Sequence, residues 1–248
     1  MSDADLARRA LRCLDLTELS DSCSEHLIDG LCRKALTPHG PVAAVCVWPQ
    51  FVVRARDGLE GSPVRVATVI NFPSGNNDLE KVVEDAEEAV GDGADEIDCV
   101  MPYHAFLRGE TALVADLIAG VREVVDGGRT LKIILETGAL GSAERIEAAA
   151  RIAINGGADF IKTSTGKSRV SATPEAAEAI LAAIRAAGNP AGLKVSGGVR
   201  AFDDARTYLD LADRVMGPGW ATPKTFRIGA SALYDALITT IEGQAAGA

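Results

Sequence analysis

Short runs of β-branched and aliphatic residues alternate eight times with Ala-rich amphipathic stretches along this chain, and no other feature narrows its folds so far. The runs are LDLT at 14–17, VAAVCVW at 42–48, VRVATVI at 64–70, EIDCVM at 96–101, TLKIILE at 130–136, DFIKTS at 159–164, GLKVS at 192–196 and TFRIGAS at 225–231. Continuous apolar runs of this length suit parallel strands covered on both faces. The stretches between them carry the helical period. Residues 78–90 set Leu79, Val82, Val83, Ala86 and Val90 on one stripe, with acids elsewhere. Thr173 before Pro174 supplies an N-cap with proline at the first helical position; Ile180, Leu181 and Ile184 then line one face, and Gly188 ends the helix. Ser142 and Gly156 bracket another helix at about 142–155. A helix, the tripeptide Gly-Ala-Asp and a strand follow one another twice, at 93–95 and again at 157–159. Eight such units in 248 residues predict an α/β fold, a (β/α)8 TIM barrel forming one domain over residues 1–248, with GQAAGA at 243–248 as a frayed tail. A doubly wound open sheet is the alternative, but it calls for a Gly-rich turn after the first strand, and LDLTELS has none.

Composition narrows the function. Hydrophobic residues make up 47% of the chain and charged residues 24%, which allows a large core without disulfides or structural metals. The formal net charge of −10 argues against nucleic acid or an anionic membrane as partner. It leaves room for a small anionic substrate, because a local cluster of Lys and backbone N–H groups overrides the global sign. Cys13, Cys23, Cys32, Cys46 and Cys99 are odd in number and show no C-x-x-C spacing, as expected of reduced thiols in a cytoplasmic protein. Residues 1–16 are charged throughout, unlike a signal peptide, and no apolar run reaches the ~18 residues of a membrane span. His26, His39 and His104 have no H-x-x-H spacing, so no metal site is expected.

Four strands hold charged groups that a purely structural strand would avoid. Lys162 lies in DFIKTS, where burial would disfavour the ammonium and produce the neutral amine that attacks a carbonyl. A lysine at the strand mouth, snorkelling to solvent, is the alternative. Lys194 lies in the next run, GLKVS; strands about 5 Å apart would bring the two lysines face to face, and a second cation further favours the neutral amine. Asp98 in EIDCVM can pair with a lysine or move protons through a water. Asp15 in LDLT is equally readable as a helix N-cap.

Phosphate signals cluster after the late strands. Gly166-Lys167 follow the sixth run, Gly197-Gly198 the seventh, and Gly229 and Ser231 close the eighth. Glycines there let backbone N–H groups approach an anion, and barrels commonly hold phosphate after strands 7 and 8. Gly166-Lys167 is not a Walker A loop, since Ile161 stands where that motif needs its first Gly.

Taken together, AAVCVWPQF at 43–51, NFPSG at 71–75, DEIDCVMPY at 95–103, ETG at 136–138, IKTSTGK at 161–167 and KVSGGVR at 194–200 resemble the deoxyribose-phosphate aldolase family of class I aldolases, from DLT at 15–17 to RIGAS at 227–231. The resemblance implies retro-aldol cleavage of 2-deoxy-D-ribose 5-phosphate to acetaldehyde and D-glyceraldehyde 3-phosphate. It implies Lys162 as the imine-forming lysine, Lys194 as the lysine that activates it and Asp98 as the proton relay. Asp15 matches a polar residue of the substrate site, and Gly166, Lys167, Gly197, Gly198, Gly229 and Ser231 match positions around the phosphate. No metal or organic cofactor is implied, and a homodimer or homotetramer is. Three positions depart from the family: Ala232 replaces a second serine, the chain ends in AAGA without a tyrosine, and His104 replaces an arginine. Two other readings stay open, a Schiff-base aldolase for another sugar phosphate and a non-catalytic sugar-phosphate-binding barrel.

Overall fold

In the computed structural model, which describes residues 1–188 and 191–245, every one of the eight runs becomes a strand. They are β1 (Leu14–Glu18), β2 (Ala44–Val47), β3 (Arg65–Ile70), β4 (Glu96–Val100), β5 (Thr130–Ile134), β6 (Phe160–Lys162), β7 (Gly192–Ser196) and β8 (Phe226–Ala230). Each pairs in parallel with its sequence neighbours, and β8 closes on β1 with Leu14 opposite Ile228, giving a (β/α)8 barrel. A two-residue hairpin, Leu36–Thr37 against Gly40–Pro41, decorates the connection into β2.

Helix boundaries follow local chemistry. Thr173 Oγ1 accepts from the Ala176 N–H at 3.1 Å to cap the helix Pro174–Ala187, and Gly188 ends it in the left-handed region at φ 59°. Ser142 caps Ala143–Asn155 in the same way, and Asp78 caps Leu79–Gly91. In the last of these Val82, Ala86 and Ala89 are buried while Leu79, in the first turn, is exposed. Of the predicted tail, 243–245 complete the final helix, and 246–248 lie outside the described residues.

The repeated Gly-Ala-Asp is a clamp at the N-terminal end of the barrel. Asp95 Oδ2 accepts from the Val66 N–H at 2.9 Å, and Asp159 Oδ2 accepts from the Leu131 N–H at 2.8 Å, each at the start of the preceding strand. An arginine seals each copy: Arg56 donates to the Gly93 carbonyl and Arg122 to the Gly157 carbonyl.

Both faces of the strands are buried, as the apolar runs require, yet the two faces differ in kind. Outward-pointing Leu14, Val45, Val66, Ile97, Leu131, Ile161, Leu193 and Ile228 join the helices in one large hydrophobic core. Inside the barrel, Ala44, Cys46, Ala67 and Val69 of β2 and β3 form a separate small-residue cluster with Leu19. Much of the rest of the interior is charged. Small side chains on one wall leave volume for long lysines and an arginine projecting from the other, since a close-packed interior cannot hold large residues on all sides.

Candidate active site

Side chains alternate along a strand, so Glu96 and Asp98 share one face of β4 while Ile97 turns to the helices. That parity assembles the interior. Lys162 ends β6 in register with Lys194 on β7, and Lys132 on β5 sits opposite Asp98. Asp15, Asp98, Lys132 and Lys194 are fully buried, and Lys162, Glu96 and Arg227 nearly so.

Asp98 is the hub. Its Oδ2 accepts from Lys162 Nζ at 2.8 Å and from Lys194 Nζ at 2.7 Å, while Oδ1 accepts from Lys132 Nζ at 2.7 Å. Burial opposes the Asp98 carboxylate, but these three ammonium groups outweigh it and hold its pKa well below the usual range. Lys194 also lies 2.5 Å from Asp15 Oδ2. With Asp15 and then Asp98 beside it, Lys194 titrates above its ordinary range although burial acts the other way. Lys132 is raised as well, since Asp98 and Glu96 together exceed its desolvation. Lys162 alone moves down. Burial is the largest cause, Asp98 resists it, and the Lys194 ammonium adds to the depression. The barrel therefore holds two lysines kept charged and one biased toward the neutral amine.

Asp15 does not line the open cleft. It is neither a helix cap nor a group at the mouth: it sits mid-strand, its Oδ1 2.6 Å from Arg227 Nη1, with its pKa lowered by Lys194, Arg227 and Lys132 against the cost of burial. Lys132, Glu96 and Arg227 escaped sequence reasoning. Lys132 Nζ meets Glu96 Oε2 at 2.6 Å, and Arg227 Nη2 donates to Glu96 Oε1 at 2.8 Å. The available signal was charge inside TLKIILE and TFRIGAS, and the i, i+2 spacing of Glu96 and Asp98.

Above these groups, a cleft of about 330 Å³ opens at the C-terminal ends of the strands. Gly166, Lys167, Gly197, Gly198, Gly229 and Ser231 all line it, joined by Thr165 and Arg200, which the motifs did not single out. Ala232 lines it too, at the position where a second hydroxyl was expected. Gly197 has φ 87°, and a Cβ there would sit 2.5 Å from Ser171 Cβ, so the turn accepts only glycine. Lys167 reaches across the mouth to the Leu19 carbonyl at 2.8 Å, with Trp48 beneath its ammonium. Glu136, left-handed at φ 55° and buried, fastens the loop after β6 by accepting from Thr165 Oγ1 at 2.6 Å and Ser168 Oγ at 3.0 Å. His104 stands exposed against the Tyr103 ring, away from the buried charges. A larger hollow, about 770 Å³, opens at the opposite end, where Glu96, Phe160 and Arg227 contribute to its lining. The reactive groups do not open there: the lysine with the depressed pKa ends β6 on the C-terminal side.

Such a site can do amine chemistry on a carbonyl. That chemistry needs an amine biased toward its neutral form, a carboxylate to handle protons and N–H groups that an anion can approach, and Lys162, Asp98 and the cleft glycines are groups of those kinds.

Comparison with known proteins agrees. Residues 10–230 match the model of the DeoC/LacD family aldolases. A deoxyribose-phosphate aldolase from Agrobacterium fabrum is 47% identical over 240 residues, covering 96% of this chain and 93% of that one. A Toxoplasma gondii structure, provisionally described as a deoxyribose-phosphate aldolase, superposes with a TM-score of 0.88 at 27% identity over 97% of both chains. The tetrameric deoxyribose phosphate aldolase of Aeropyrum pernix gives a TM-score of 0.74 at 25% identity, covering 100% of this chain and 94% of its own.

Proposed function

The chain belongs to the DeoC/LacD family of aldolases, and from that premise we propose that it cleaves 2-deoxy-D-ribose 5-phosphate to acetaldehyde and D-glyceraldehyde 3-phosphate through an imine on Lys162. The observation that carries this reading is the sharing of one carboxylate oxygen, Asp98 Oδ2, by Lys162 and Lys194 beneath a glycine-lined cleft.

Neutral Lys162 Nζ adds to the C1 aldehyde of the open-chain sugar, and the carbinolamine loses water to give a protonated imine. Asp98, acting through a water, takes the C3 hydroxyl proton. The C2–C3 electron pair flows to the imine nitrogen, the C3 oxygen becomes the aldehyde of glyceraldehyde 3-phosphate, and an enamine of acetaldehyde stays on the lysine. Protonation at C2 and addition of water release acetaldehyde and restore the amine. Lys194 stays charged and never competes as nucleophile, which separates the roles of two neighbouring lysines. Lys167, Arg200, Ser231 and the N–H groups of Gly166, Gly197, Gly198 and Gly229 hold the phosphate at the rim. Holding the remote end fixes C1 near Lys162, so binding energy is used for orientation. Asp15 serves as the fixed counter-ion of Lys194, not as a substrate ligand.

Among the described residues no helix is long and apolar enough to cross a membrane, in keeping with a cytoplasmic enzyme. A single domain and assembly as a homodimer or homotetramer complete the proposal.

Incubation with acetaldehyde, reduction with borohydride and peptide mapping test it. One ethyl group on Lys162, absent from Lys162→Ala, is the expected result. Adducts scattered over surface lysines, or none, would overturn it.

A further inference from the structure

Among the described residues, the buried charged side chains of the barrel interior are Asp15, Glu96, Asp98, Lys132, Lys162, Lys194 and Arg227; Glu136 lies apart, against the hydroxyls of Thr165 and Ser168. Ion pairs join all seven into one set. Lys162 touches Asp98. Lys194 touches Asp98 and Asp15. Lys132 touches Asp98 and Glu96 and comes within 3.8 Å of Asp15. Arg227 touches Asp15 and Glu96. Four cationic sites thus share three carboxylates. An interior set carrying a net charge is disfavoured by desolvation, and the release of one proton makes it neutral. Arginine cannot release it. Of the three lysines, Lys132 has three carboxylates within 4 Å, Lys194 has two and Lys162 has one. Lys162 is therefore the lysine whose proton is given up most easily.

We propose that Arg227 and Glu96 are positioning residues for the aldol chemistry: paired at the N-terminal end of the barrel, they keep the charges beneath Lys162 balanced, two cations to two carboxylates together with Lys132 and Asp15, and so leave Lys162 as the excess cation and the amine released uncharged. The proposal rests on the Schiff-base reading of Lys162. The groups facing Lys162 are balanced among themselves. They are Cys46 from β2, Asp98 from β4 and Lys194 from β7, while Ile134 of β5 stands in register beside it. Asp98 and Lys194 cancel, and one layer below Lys132 and Arg227 cancel Asp15 and Glu96, so Lys162 is the cation in excess. The protonated imine restores a positive charge at Lys162, so the excess cation returns just before C–C cleavage, whose electron pair neutralises it.

The test is the pH dependence of kcat/KM and of borohydride trapping, both of which need the neutral amine. Arg227→Met leaves three cationic sites and three carboxylates, so protonated Lys162 is favoured and the acid limb moves up by about one pH unit, the effect of one unit charge across a protein interior. Glu96→Gln leaves four to two and moves the limb down by a similar amount. The double variant leaves three to two, an excess of one as in the unaltered protein, and the limb returns. Arg227→Lys keeps the charge and the limb position; should Arg227→Met fail to fold, Arg227→Lys beside Glu96→Gln carries the comparison. Limbs that stay put, or singles that shift the same way, while acetaldehyde still labels Lys162, would overturn the proposal. No labelling of Lys162 in the unaltered protein would instead overturn the Schiff-base reading.

Discussion

Lys162 and Lys194 lie in register on adjacent strands and both donate to one oxygen, Asp98 Oδ2, at 2.8 and 2.7 Å. Their pKa values diverge because their carboxylates differ. Lys194 has Asp15 as a second carboxylate at the back of the barrel; Lys162 has only its share of Asp98, and burial prevails. Lys194→Met removes a cation that depresses Lys162. Protonated Lys162 is then favoured, the acid limb of the pH–rate profile moves to higher pH, and kcat/KM at pH 7 falls roughly a hundredfold. Steady-state kinetics across pH 5 to 10 on the purified variant would check this.

Asp98→Asn leaves the buried lysines short of their shared anion. The expected cost is about 3–5 kcal/mol of stability, as when one partner of a buried ion pair is removed, with a rate loss of 10²-fold or more from the missing proton relay. The pH dependence has a definite sign. The folded pKa of Asp98 is depressed, so its stabilisation is complete above the unfolded value near 3.8 and fades as pH falls below it toward the folded value. Thermal melts below pH 4 should show a steeper loss in the unaltered protein than in Asp98→Asn.

Gly229 is backbone space reserved for a lysine. A Cβ there would stand 3.0 Å from Lys194 Cε and 3.0 Å from Ser196 Oγ, tighter than ordinary contact. Gly229→Ala should displace Lys194 and cost about 1–3 kcal/mol through overpacking. Because Lys194 moves, kcat drops more than the melting temperature alone would suggest. A variant with full kcat and unchanged melting would refute this role for the glycine.

Lys167 offers a selective test of the rim. Its ammonium spans the cleft mouth to the Leu19 carbonyl, within reach of an anion among Gly166, Gly197 and Gly198. Lys167→Met should raise KM for the phosphorylated sugar about tenfold, the scale of one charge-assisted hydrogen bond, and leave turnover of 2-deoxyribose nearly unchanged. Equal losses with both substrates would assign Lys167 to the loop's structure instead.

Much was legible early because it is local. Each of the eight apolar runs became a strand, and Thr173-Pro174, Ser142 and Gly188 cap helices where their chemistry says they should. The twin Gly-Ala-Asp motifs also signalled a recurring unit, although not its purpose, which is to pin the start of the preceding strand. Lys132, Glu96 and Arg227 stayed hidden for a definite reason. A charged residue in an apolar run reads alike whether it points into the barrel or ends at its rim, and whether it has partners depends on residues 34 to 212 positions away. Asp15 was misleading in the same way: its neighbours in sequence suggest a cap, and its neighbours in space are Lys194 and Arg227.

By itself, the sequence determined which segments are strands, which glycines end them and which lysines lie within them, since periodicity, capping and turn chemistry act over a few residues. Only the closed barrel decided why Lys162 is biased toward the neutral amine while Lys194 is held charged. That choice depends on how many carboxylates surround each amine in a buried interior, and β1, β4, β5, β6, β7 and β8 supply the charges together once strand parity has turned them inward.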